Sequence, residues 1–236
     1  MNNNTIQNNI IAFAKKIDVS FNDVTLLKTA FTHRSYVNEH RGEVVEHNER
    51  LEFLGDAVLE LAVTTFLFET YKNRTEGDLT AYRAALVNTH TISKAAAKLG
   101  MNDCLLLSKG ESRDTGRARE YILADTFEAV IGAIFLDQGY EAAQDFIAKN
   151  IYPLADEVVK KKLWLDKKSY FQEKAQEYTS ITPSYMVLEE SGPDHDKQFT
   201  VGAYLNDELV AQGRGRSKQE AEQQAAANAL TLKEWE

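Results

Sequence analysis

Between residues 10 and 160 apolar side chains recur with a period near 3.6, which predicts helices almost throughout. Polar breaks fall near His40–Asn48, Lys72–Glu76, Ser108–Arg119 and Gln138–Tyr140, and no proline precedes Pro153. Two stretches, Leu51–Phe68 and Tyr121–Leu136, are apolar nearly all the way round, as buried core helices are. The first nine residues are dense in asparagine and are expected to fray. After Pro153 the pattern changes. Lys160–Lys168 reads as a charged connector, Ser169–Tyr178 as a short helix, and Pro183–Glu190, Gln198–Leu205 and Glu208–Gly213 as three strands. Turn signals stand at Ser191-Gly192-Pro193 and Asn206-Asp207, and the Ala- and Gln-rich run Ser217–Leu232 predicts a closing helix. The expected fold is mainly α: a helical domain over 9–139, helical to about 158, then a small α-β-β-β-α module over 166–234.

Composition narrows the class. With 236 residues, 43% hydrophobic and 27% charged, the chain is ordinary globular material of one or two domains. A single cysteine, Cys104, cannot close an intramolecular disulfide, so a reducing cytoplasm is the expected location. The N-terminus lacks the basic and apolar regions of a secretory signal. Tyr121–Leu136, the longest apolar stretch, contains Asp125 and Glu128 and is too short for a span of ~20 residues, so no membrane partner is expected. The net charge of −9 argues against a polyanionic partner, as does the excess of acids after Trp164. Yet Arg214, Arg216 and Lys218 fall within five residues, enough for a local basic patch on an acidic body.

The charges inside the two apolar helices carry the chemistry. Glu52 and Asp56 project within about 40° of each other one turn apart, and Leu59 and Val63 share that face. Asp125 and Glu128, spaced i,i+3, repeat the arrangement. Gly55 costs its helix about 1 kcal/mol relative to Ala and would admit a close neighbour. Buried carboxylates that converge need a cation, and a donor set without Cys or His suits Mg²⁺ or Mn²⁺ rather than zinc. The bland alternative is a set of structural ion pairs with arginines such as Arg50 and Arg83.

The string HNERLEFLGDAVLE, from His47 to Glu60, closely resembles the signature of bacterial ribonuclease III, the double-stranded-RNA endoribonuclease. FTHRSY (Phe31–Tyr36), EGDLTAYRAALVN (Glu76–Asn88) and YILADTFEAVIGAIFLD (Tyr121–Asp137) are similar to further segments of that family. The segments SYFQEKAQ, GPDHDKQF and GRGRSKQEAEQQAAANAL resemble its double-stranded-RNA-binding domain, so the likeness spans nearly the whole chain. It implies Glu52, Asp125 and Glu128 as Mg²⁺ ligands and Asp56 and Glu128 as catalytic groups, with Glu49 and Glu76 as further acids near the RNA path. It also implies a homodimer, to which Phe53 contributes by packing into the partner; ordinary core is the other role open to Phe53. His33 reads as structural. The implied reaction is hydrolysis of duplex RNA to 5′-phosphate and 3′-hydroxyl ends with short 3′ overhangs, in the processing of ribosomal and other structured precursors.

For the RNA-binding module the resemblance implies contacts from Gln172 and Gln176 on the first helix, His195 on a loop, and Lys218 at the start of the last helix. The family's adjacent basic pair stands here as Lys218-Gln219, so one phosphate cation is missing. Arg214 and Arg216 compensate in part, or merely solubilise a hairpin end; weaker or more salt-sensitive RNA binding is expected. The alternative function is a non-cleaving, double-stranded-RNA-binding or ribosome-associated protein on the same scaffold. Retention of all four acids speaks against it.

Overall fold

The computed structural model describes residues 3–40, 46–160, 164–193 and 197–235, and the chain divides into two compact units, Met1–Trp164 and Leu165–Glu236. The first unit is helical: α1 (Asn3–Lys16), α2 (Val24–Ala30), α3 (Arg34–Glu39), α4 (Glu49–Thr70), α5 (Glu76–Leu86), α6 (Thr89–Leu99), α7 (Arg117–Gln138), α8 (Tyr140–Asn150) and α9 (Ala155–Lys160). The second holds α10 (Lys167–Thr179), β1 (Ser184–Ser191), β2 (Gln198–Leu205), β3 (Glu208–Gly215) and α11 (Lys218–Lys233). Mainly helical architecture followed by an α-β-β-β-α module is the class the periodicity predicts.

α4 and α7 form the centre of the first unit. Leu59, Ala62, Val63 and Leu67 from α4 meet Phe127, Val130, Ile131 and Ile134 from α7, all buried. The two helices approach to backbone contact at paired glycines. A methyl group at Gly55 would overlap the carbonyl oxygen of Glu128, and one at Gly132 would overlap that of Leu51. Only glycine permits this approach, which offsets its low helix propensity. Asp137, at the far end of α7, accepts the backbone N–H groups of Asn22 and Asp23 at 2.8 Å each, tying α7 to the start of α2. The start of α4 is held by the segment that follows α2: Asn48 N–H donates to the Thr32 carbonyl at 2.9 Å and His33 N–H to that of Leu106 at 3.0 Å.

The N-terminus departs from the expectation. α1 begins at Asn3, inside the stretch expected to fray, because Ile6, Ile10, Phe13 and Ile17 recur at helical spacing and are buried in the core. Four apolar anchors outweigh the weak helix propensity of the asparagines. The break expected over Ser108–Arg119 is shorter, since α7 starts at Arg117. Part of the His40–Asn48 break and of the Lys160–Lys168 connector lies outside the described residues.

In the second unit the strands form one antiparallel sheet in the order β1-β2-β3, with register shifts between Val187 and Glu189 and between Ala203 and Tyr204. Val201, Ala203 and Leu205 point from β2 to the helix side, where Ala225, Ala226 and Ala229 of α11 and Phe171 and Ala175 of α10 pack. Small side chains on α11 let it lie close to the sheet.

Candidate active site

The α4–α7 crossing decides where the acids go. With the helices in contact at Gly55 and Gly132, Glu52 stands opposite Asp125 and Glu128. One carboxylate oxygen from each lies within 4.8 Å of the other two. All three residues are half-buried. Burial, then the charges of Asp125, Glu49 and Asp56, raises Glu52 to about 7. Glu128 is pushed up to about 8 by burial and then by Asp56, Asp125, Glu52 and Glu60. Burial also raises Asp125, against a backbone hydrogen bond that lowers it. Three partly desolvated carboxylates that repel one another form a site short of positive charge. Hard oxygen donors at this spacing suit a divalent cation.

Asp56 departs from the expectation in its burial alone, since the implied ligand set is Glu52, Asp125 and Glu128. It lies one turn beyond Glu52 but is exposed and outside the group of three. The face shared with Leu59 and Val63 is wider than the buried part of the helix. Asp56 still stands close enough to raise Glu52 and Glu128. The structural alternative for the arginines takes a limited form: Arg83 pairs with Glu60 at 3.0 Å and donates to Thr64 at 3.0 Å, serving the α4–α5 contact rather than the cluster.

The remaining candidates scatter. Glu49, the first residue of α4, pairs with Arg34 at 3.3 Å. Glu76 opens α5 on the surface and accepts a hydrogen bond from the Thr80 hydroxyl at 3.0 Å. His33 caps α3, its Nδ1 accepting from Ser35 N–H at 3.3 Å, a structural role. Phe53 is 81% exposed, which excludes ordinary core within a single chain. Residues 53, 57, 61, 64 and 68 fall within about 80° of one another on α4. They include the exposed Leu61 and Phe68, which periodicity could not single out in a helix apolar all round.

On the second unit Gln172 and Gln176 are exposed along α10, lining a shallow depression with Ser169, Glu173 and Glu177. Arg214 and Arg216 are exposed at the end of β3 and just after it. Lys218 is the first residue of α11, whose N-cap Ser217 accepts from Glu220 N–H. Gln219 faces a polar cleft that Gln172 also lines. His195 lies outside the described residues.

Residues 23–154 match the family model described as Ribonuclease-III-like, and residues 168–232 match the Double-stranded RNA binding motif. The Ribonuclease 3 of Bacillus cereus strain G9842 is 48% identical over 218 residues, 92% of this chain and 89% of that one. That of Bdellovibrio bacteriovorus is 44% identical over 220 residues, 93% and 94% of the two chains. The crystal structure of the nuclease domain of ribonuclease III from Campylobacter jejuni superposes with a TM-score of 0.55 at 40% identity, covering 61% of this chain and 95% of that one. A second structure of that domain, which concerns flexibility in the region involved in its dimer formation, gives 0.54 at 40% identity, covering 61% and 99%.

Proposed function

The chain belongs to the ribonuclease III family of endoribonucleases acting on double-stranded RNA, and from that premise we propose a Mg²⁺-dependent hydrolysis centred on Glu52, Asp125 and Glu128. The observation that carries it is the approach of one oxygen from each of these residues across the glycine-paired crossing. Glu52, Asp125 and Glu128 would hold the ion, with Mn²⁺ as a substitute for Mg²⁺. When bound, the ion supplies Lewis acidity toward the phosphate and a water of lowered pKa. Asp56 presents its carboxylate to solvent beside the cluster, where it orients the attacking water. Attack at phosphorus breaks the bond to the 3′ oxygen and gives 5′-phosphate and 3′-hydroxyl ends with short 3′ overhangs. Digestion of a long RNA duplex with and without Mg²⁺, with end-group analysis, tests this. Cleavage without divalent ion, or 3′-phosphate products, would overturn it.

The raised carboxylates give a pH dependence with a defined sign. Metal binding requires deprotonated ligands, so at subsaturating Mg²⁺ cleavage should weaken as pH falls from about 8 through about 7. Without metal the sign reverses. The folded carboxyls hold protons more tightly than their ordinary value near 4.5, so their stabilising contribution is full below about pH 4.5 and lost as pH rises through about 8. Melting of the metal-free protein at pH 6 and 8.5 should show the higher midpoint at pH 6. Added Mg²⁺ should narrow the difference.

We assign the catalytic domain to 9–139, helical to about 158, and the RNA-binding domain to 166–234. Gln172, Gln176, His195, Arg214, Arg216 and Lys218 form the RNA contacts of the second domain. Loss of a cation at Gln219 weakens binding, but with one fewer counterion released the salt dependence becomes shallower, not steeper. Processing of ribosomal and other structured RNA precursors in the cytoplasm is the proposed setting. Among the described residues no helix is long and apolar enough to cross a membrane.

A homodimer fits the apolar stripe on α4, since an 81%-exposed phenylalanine is costly beside Leu61 and Phe68. Glu49 and Glu76 stand as secondary acids. Phe53→Glu should halve the mass measured by light scattering at micromolar concentration. A wild-type monomer, or a variant that remains dimeric, contradicts the assignment.

A further inference from the structure

Above the acids, α7 carries two exposed side chains with no part in the metal cluster. Arg117, Tyr121, Asp125 and Glu128 fall within about 80° on one face of the helix. Along the axis Tyr121 stands about 6 Å, and Arg117 about 12 Å, from Asp125. The Arg117 guanidinium lies against Tyr121, its neighbour one turn along that face: its carbon is 5.9 Å from the centre of the Tyr121 ring, and Nη2 is 3.4 Å from the Tyr121 hydroxyl. Tyr121 is 47% exposed. Arg119, two residues on, does something else. It donates to the carbonyls of Glu111 at 2.7 Å and Asp114 at 2.9 Å, and to Asn102 at 3.3 Å, fixing the loop that leads into α7. One arginine anchors the helix start while the other lies along the face that ends at the acids.

We propose that Arg117 and Tyr121 are a substrate-positioning pair, Arg117 binding a phosphate neighbouring the one cleaved and Tyr121 contacting the intervening ribose. The proposal rests on the cleavage site assigned above and extends it along the strand. An acidic cluster repels the RNA backbone except where a cation intervenes. A guanidinium aligned with the cluster supplies a fixed positive charge and a forked set of donors suited to phosphate. The Tyr121 ring holds that guanidinium in place by its face and hydroxyl.

The test uses the full-length protein carrying Glu128→Gln, which separates binding from cleavage. Duplex-RNA affinity is measured in Mg²⁺ over a range of KCl concentrations. Adding Arg117→Gln should lower the slope of log affinity against log salt by about one and weaken binding roughly tenfold, and Arg117→Lys should restore the slope. In the cleaving enzyme Arg117→Gln should raise KM more than it lowers kcat. The Mg²⁺-induced thermal shift should stay at the wild-type value. An unchanged salt slope overturns the proposal, and so does a fall in melting temperature of the kind expected for Arg119→Gln. If Glu128→Gln itself still cleaves, the cleavage-site assignment fails, and the salt slope continues to judge the pair.

Discussion

Glu128→Gln is expected to reduce cleavage of a long RNA duplex by ~10³-fold or more while leaving duplex affinity nearly unchanged. Glu128 is half-buried, stands within 4.8 Å of both Glu52 and Asp125, and is raised to about 8. Glutamine keeps its shape and one of its oxygens but removes the charge a divalent ion needs. The substitution also relieves repulsion within the cluster, so the metal-free variant should melt at or above the wild-type temperature at pH 8. A catalytic loss at undiminished stability separates removal of chemistry from unfolding. Single-turnover cleavage, a gel-shift measurement and a melting curve check the three parts. Undiminished cutting would remove Glu128 from the mechanism.

The second large effect lies away from any carboxylate. Gly55→Ala adds a methyl group that would overlap the Glu128 carbonyl oxygen, so α4 and α7 must separate. Helix propensity favours alanine by about 1 kcal/mol, but overpacking of a rigid backbone contact costs about 3 kcal/mol or more. The melting temperature should fall by roughly 5–10 °C. Activity should fall further than stability explains, because the separation moves Glu52 away from Asp125 and Glu128. Gly132→Ala, which meets the Leu51 carbonyl, should behave alike. A stable, fully active Gly55→Ala would show that the crossing does not set the site. Activity at a temperature well below each variant's melting point distinguishes the two components.

Much of this arrangement is legible without coordinates. Acids in two apolar helices are expensive to bury, so Glu52, Asp56, Asp125 and Glu128 stand out from their neighbours by contrast alone, and the contrast does not separate Asp56 from the other three. Gly55 signals a close approach, but its counterpart Gly132 carries no mark, because a glycine within the apolar run Val130–Phe135 has many explanations. The exposure of Asp56 and Phe53 is hidden for a related reason. A helix apolar on every side has no evident solvent face, and the placement of α7 and of the helices around it defines one. At the N-terminus local composition and tertiary packing disagree, and packing of Ile6, Ile10 and Phe13 prevails. In the second unit β3 runs to Gly215 rather than Gly213, because alternate burial continues through Arg214, with both glycines buried against α11. The alignment of Arg117 with the acids depends on α7 starting earlier than its apolar run, a consequence of the Arg119 anchor.

The direct test of the central assignment is anomalous diffraction from crystals of the full chain grown with Mn²⁺. A strong peak bounded by carboxylate oxygens of Glu52, Asp125 and Glu128 is the predicted result. Ordered crystals with those three carboxylates resolved and no manganese among them would contradict it.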